Sequence, residues 1–150
     1  MTPTTGSRKK RRLLLASDRI DRSRDLRAIL QCVADVETTL TSGIPDTPSG
    51  RFAGIVVDIN LRSPDSVLQV RSKLSAEDYR SMPRLFVLAD AFHHGSMQAG
   101  ALGATDIIVR PLDKKVVLQR VRAAFPGEND GGTANANVLN RGIAAAHAVL

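Results

Sequence analysis

The chain has 150 residues, of which 43% are hydrophobic, 24% charged and only 3% aromatic. That composition suits one compact domain with short extensions and an aliphatic core. No apolar run approaches the roughly 18 to 20 residues that cross a bilayer, Leu13–Ala16 is too short for a signal-peptide core, and the lone Cys32 excludes an intrachain disulfide, so a cytoplasmic setting is expected.

The net charge is +6, and Arg8, Lys9, Lys10, Arg11 and Arg12 supply five positive charges ahead of the first predicted strand. No aromatic residue interleaves with them, so the cluster offers no stacking platform for a nucleic-acid strand. Residues 1–11 are expected to be a solvated, flexible basic arm, and nucleic acid is not an expected partner.

Leu13-Leu14-Leu15-Ala16 ends in Ser17-Asp18 and reads as a short buried strand. Leu26, Ile29, Leu30 and Val33 follow at helical spacing, and Cys32 lies near that face and is expected in the core. Val36–Leu40 is rich in β-branched residues and predicts a second strand. Between Ser42 and Gly50, two prolines and two glycines exclude a regular helix.

Phe52–Ile59 predicts a third strand that ends at Asp58, and Val67, Leu68, Arg71 and Leu74 a short helix after it. Leu85–Leu88 predicts the fourth strand. A helix over Phe92–Leu102 is weakened by Gly95 and Gly100, and Gly103 suits the reversal that follows. Ile107-Ile108-Val109 predicts strand five. Asp113 caps a last helix whose apolar stripe is Val117, Leu118, Val121, Ala124 and Phe125, with Pro126-Gly127 as the stop. Residues 128–137 read as a linker, and Val138–Leu150 as the start of a further helix.

Five short, continuously apolar strands alternating with helical stretches predict a parallel sheet covered on both faces, an open doubly wound α/β fold. Ligands of such sheets bind beyond the carboxyl ends of the strands. Those ends carry Asp18, Asp58 and Arg110. Two carboxylates at a sheet edge can hold magnesium through oxygen, and a cation beside an attacking aspartate makes a phosphoryl-transfer site. Asp58 is the candidate nucleophile. Asn60 lies two residues on, with a backbone carbonyl placed for the metal.

In order of elements and in these residues the chain resembles the receiver domain of two-component response regulators, which have a flavodoxin-like fold. The resemblance runs from about Arg12 to Pro126. It is carried by Ile55-Val56-Val57-Asp58-Ile59-Asn60-Leu61, by Ala99-Gly100-Ala101-Leu102-Gly103-Ala104, and by Val109-Arg110-Pro111-Leu112-Asp113. It implies strand order 2-1-3-4-5, a domain over residues 12–126, Asp58 as phospho-acceptor, and Arg110 as the phosphate clamp in place of lysine. It implies Asp18, Asp58 and the Asn60 carbonyl as ligands of a weakly held Mg2+. It further implies a signalling role without enzymatic turnover. The implied partners are a histidine kinase or phosphotransfer protein, a second copy through the helix 4–strand 5–helix 5 face, and a covalent output domain in a longer parent.

The chain also departs from that family's pattern. Ser17 stands where the first of two acids is usual. The hydroxyl expected after strand four falls on Leu88 or Ala89, and the aromatic switch residue on Ile107. The Pro and Gly that usually follow the acceptor are replaced by Arg62 and Ser66, and the second helix is shortened or lost. Arginine for lysine allows a lasting pair between Arg110 and Asp58. The alternative function is therefore a pseudo-receiver, an interaction or dimerisation module independent of phosphate. His93 and His94 point about 100° apart on a helix and do not share a metal. No Gly-rich phosphate loop follows strand one, and no Gly-x-Ser-x-Gly elbow is present.

Overall fold

The computed structural model describes residues 11–46, 48, 52–91 and 93–126. The expected basic arm up to Lys10, the linker and the further helix after Pro126 lie outside them. Five strands form one sheet in the order β2-β1-β3-β4-β5, with every pair parallel. They are β1 (Arg11–Ser17), β2 (Ala34–Leu40), β3 (Gly54–Asp58), β4 (Arg84–Leu88) and β5 (Asp106–Val109). The helices are α1 (Arg24–Leu30), α2 (Pro64–Leu74), α3 (Glu77–Arg80), α4 (His93–Ala101) and α5 (Lys114–Ala124).

Alternate residues of each apolar strand feed opposite faces, which is why the strands are apolar throughout. Leu14, Ala16, Ile55, Val57, Phe86 and Leu88 meet Val70 and Leu74 of α2, Tyr79 of α3, and Ala99 of α4. Leu13, Leu15, Val56, Leu85, Val87 and Ile108 meet Leu26 and Leu30 of α1 and Val117, Val121 and Ala124 of α5. The layers are thus held by mainly aliphatic packing on both sides of the sheet, with three of the few aromatics, Tyr79, Phe86 and Phe125, also fully buried.

No helix lies between β2 and β3 among the described residues. A 3-10 turn, Thr41–Gly43, leads into an extended segment. Ile44 of that segment is buried in the core. The Tyr79 hydroxyl donates to the Pro45 carbonyl at 2.6 Å, Thr41 Oγ1 donates to Gln69 Oε1 at 2.6 Å, and Lys73 pairs with Asp46 at 2.7 Å. The edge strand is written to match. On the face that no described helix between β2 and β3 covers, β2 presents Asp35, Glu37 and Thr39, and Arg12 reaches Glu37 while lying over the Phe52 ring.

Helix boundaries follow local chemistry. Ser63 accepts from the Ser66 N–H and Pro64 sits in the first turn of α2. Asp113 accepts from the Lys115 and Val116 N–H groups, as its position predicts. Gly103 has φ of +84°, a left-handed conformation that closes the turn after α4.

Two expectations are corrected, and one element is added. Arg11 belongs to β1 rather than to the arm, pairing in register with Ala34 of β2. Cys32 is exposed, because α1 stops at Leu30 and Cys32 falls in the turn beyond the apolar stripe. The four-residue helix α3 has no counterpart in the sequence reading, since Glu77-Asp78-Tyr79-Arg80 carries no apolar period.

Candidate functional site at the strand ends

The parallel register sets Ser17 beside Asp58 at the carboxyl ends of β1 and β3. The chain then turns through a 3-10 segment, Ile20–Ser23, and returns over the sheet edge. Ser23 takes the N-cap position of α1, yet its hydroxyl does not cap the helix. It donates instead to Asp58 Oδ2 at 2.6 Å and lies 2.7 Å from Ser17 Oγ. Ser17 Oγ in turn accepts from the Arg19 N–H at 3.0 Å. A chain of hydroxyls thus reaches the acid where the family pattern has a carboxylate.

Arg110 follows β5 and brings the positive charge. Its Nη2 donates to Asp58 Oδ2 at 2.7 Å, and its Nη1 reaches both Asp25 oxygens at 3.0 and 3.3 Å. One guanidinium therefore ties the end of β5 to β3 and to the first turn of α1. The Asp58 side chain is 2% exposed and that of Arg110 15%. Burial works against the Arg110 charge, but hydrogen bonds and attraction from Asp58 and Asp25 outweigh it, so the guanidinium is held above the ordinary arginine range. Both bonds to Asp58 fall on Oδ2, and Oδ1 accepts none among the described residues.

Asp18 is held separately. Its Oδ1 pairs with the Arg22 guanidinium four residues on. Its Oδ2 accepts from the Asn60 N–H at 2.8 Å and lies 3.4 Å from Ser66 Oγ. Asn60 is spent locally: its carbonyl accepts from the Ser63 N–H at 3.0 Å and its side-chain Oδ1 from the Arg62 N–H at 3.0 Å. Magnesium needs several hard oxygens that are not already neutralised. Each of the three expected ligands has a protein donor of its own, and guanidinium groups balance both carboxylates. The residues as they stand do not fit a divalent cation.

A pocket of about 160 Å³ opens next to this constellation, lined by Arg22, Ile59, Asn60, Leu61, Arg62, Leu88, Ala89 and Asp90. Asp58 does not line it. Leu88 ends β4 buried and, like Ala89, offers no side-chain oxygen to a phosphoryl group. Ile107 packs half-buried against the α2–α4 face. No group of three or more acidic, histidine or cysteine side chains converges on a metal position among the described residues. No helix among them is long and apolar enough to cross a membrane.

Sequence reasoning placed Asp18, Asp58, Asn60 and Arg110 at one edge, and the structure brings all four there. It missed Arg22, Ser23 and Asp25. The four-residue spacing from Asp18 to Arg22 was the available signal, but it has meaning only once the 3-10 return is known.

No family model matches the chain, and no curated protein matches its sequence significantly. Solved structures do match in fold. The chemotaxis response regulator CheY4 of Vibrio cholerae is 20% identical with a TM-score of 0.65, covering 77% of this chain and 98% of that one. The non-phosphorylated HemR receiver domain of Leptospira biflexa is 25% identical with a TM-score of 0.58, covering 78% and 95%. The BeF3-activated receiver domain of DrrB is 18% identical with a TM-score of 0.58, covering 75% and 95%. Strand order, parallel register and helices on both faces agree with that likeness, and the chain has the flavodoxin-like fold of the response-regulator receiver domains, with an atypical strand-end site.

Proposed function

We propose that this chain is a two-component-type signalling module that works as a pseudo-receiver, making protein contacts that do not depend on phosphate. The observation that carries this reading is the state of Asp58. Its side chain is 2% exposed, and one oxygen is held by both Arg110 and Ser23. An acceptor carboxylate must meet a phosphoryl donor in line, with cations free to neutralise the transferring oxygens. Here the cation is engaged with Asp25 and Asp58, the metal ligands have internal partners, and the position of the hydroxyl that would bind the phosphoryl group is Leu88 or Ala89, neither with a side-chain oxygen. The proposed contact surface is α4, β5 and α5, where Met97, Val109 and Val116 are exposed. Its proposed occupants are a second copy or an output domain, and its proposed setting is the cytoplasm.

A second reading keeps Asp58 as a working phospho-acceptor that takes its phosphoryl group from a histidine kinase or phosphotransfer protein, with Mg2+ and Arg110 assisting. The free Oδ1 of Asp58 and the cation 2.7 Å from Oδ2 favour it. Beryllofluoride with magnesium, a phosphoryl mimic, separates the two readings. Amide resonances of β5 and α5 that stay in place support the pseudo-receiver. Saturable shifts there, lost in Asp58→Asn, support the acceptor.

A further inference from the structure

We propose that the Arg22 guanidinium is the built-in cation of the strand-end site and keeps divalent metal off Asp18. This rests on the reading of the site as internally held, and it names the residue responsible at the metal position.

Four observations converge on Arg22. It sits on the 3-10 return of the chain and pairs with Asp18 Oδ1, while the other Asp18 oxygen is occupied by the Asn60 N–H. The pair is partly enclosed, with side-chain exposures of 30% for Arg22 and 14% for Asp18, so water screens it less than a surface pair. Arg22 also lines the pocket beside Asn60, where the other arginine, Arg62, is paired with Asp90 at 3.4 Å, so Arg22 is the cation that faces Asp18 there. Finally, Nε of Arg22 is buried without a hydrogen-bond partner, so the side chain is positioned by its terminal nitrogen on Asp18 and not by a full set of bonds.

Arg22 is the guanidinium against Asp18, and Arg110 is the one against Asp58. A magnesium ion would have to displace Arg22 from Asp18 and then sit beside it, and like charges at such range oppose binding. Arg110 has a separate duty, spanning Asp58 and Asp25. Removing Arg22 therefore uncovers a metal ligand while leaving the Asp58 pair in place.

The test is Mg2+ titration of the 15N-labelled full chain, read at the Asp18 and Asn60 amides. The wild type is expected to show only small, non-saturating shifts, the same as those in Asp18→Asn. Arg22→Ala is expected to bind saturably and at least about tenfold more tightly, an effect abolished when Asp18→Asn is added. Arg22→Lys, which keeps the charge, is expected to exclude magnesium as the wild type does. If Arg22→Ala gives no folded spectrum, Arg22→Gln keeps the side-chain length and carries the same expectation. Saturable binding by the wild type that is lost in Asp18→Asn would overturn the proposal. So would a folded Arg22→Ala or Arg22→Gln with no gain in affinity. The readout is metal binding alone, so it fails or succeeds separately from the question of phosphoryl uptake at Asp58.

Discussion

Replacing Arg110 by methionine keeps most of the aliphatic stem and deletes the charge that Asp58 faces. The bond lost to Asp58 is 2.7 Å long and reaches a side chain that is 2% exposed. The bonds lost to Asp25 reach a carboxylate that is 57% exposed, so they contribute less than about 1 kcal/mol. Breaking a buried pair by removing one partner costs about 3–5 kcal/mol, because the remaining charge stays in a medium that solvates it poorly. Ser23 still donates to Asp58, so the lower end applies, about 3 kcal/mol. A domain of this size is stable by on the order of 5–15 kcal/mol, and the loss is a substantial fraction of that. Urea unfolding followed by circular dichroism measures it. Adding Asp58→Asn removes the stranded charge, and the double variant is expected to recover on the order of 2 kcal/mol. A loss below about 1 kcal/mol for Arg110→Met, or simple additivity in the double variant, would refute the description of this pair as buried and coupled.

Arg84 is buried at the start of β4 and donates to the carbonyls of Leu74, Tyr79 and Leu102, tying together the ends of α2, α3 and the turn after α4. Burial lowers its pKa below the ordinary arginine range. Arg84→Met is expected to orphan those carbonyls and lose about 3 kcal/mol in chemical denaturation. At Gly54 an added Cβ would lie 2.1 Å from Phe125 Cε1 and 2.9 Å from the Pro83 carbonyl, so Gly54→Ala is expected to lower the melting temperature through overpacking of about 1–3 kcal/mol. Tyr79 is the sole tyrosine, and burial, then Asp46 and Asp78, raises its pKa above the ordinary tyrosine range. Its folded form therefore holds its proton more tightly than the unfolded chain. The stabilisation is complete below the unfolded pKa and is lost as pH rises through the folded one. Phenolate absorbance should appear together with alkaline unfolding, and Tyr79→Phe should flatten that pH dependence.

The sheet was legible because each strand is a short apolar run bounded by polar or turn residues, and both faces are covered by helices. That no second helix would lie among the described residues between β2 and β3 was legible from Pro45, Pro48, Gly43 and Gly50. What replaced it was not, because Tyr79, Thr41 and Lys73 act through contacts made only in the folded chain. The strand ends announced Asp18, Asp58 and Arg110. Ser23 was hidden because a serine at a helix start ordinarily caps its own helix, and here the hydroxyl is turned into the site. Arg11 misled because a run of charge reads as solvated, whereas the first residue of β1 pairs with Ala34 of β2 along one side of the sheet.

The most direct measurement is intact mass after incubation with magnesium and a small phosphoryl donor, wild type beside Asp58→Asn, with an active receiver domain in the same tube. The pseudo-receiver reading expects the control to gain a phosphoryl group while neither form of this chain does. A gain on the wild type that disappears in Asp58→Asn would contradict it and make Asp58 a working acceptor despite Arg110, Ser23 and the missing hydroxyl after β4.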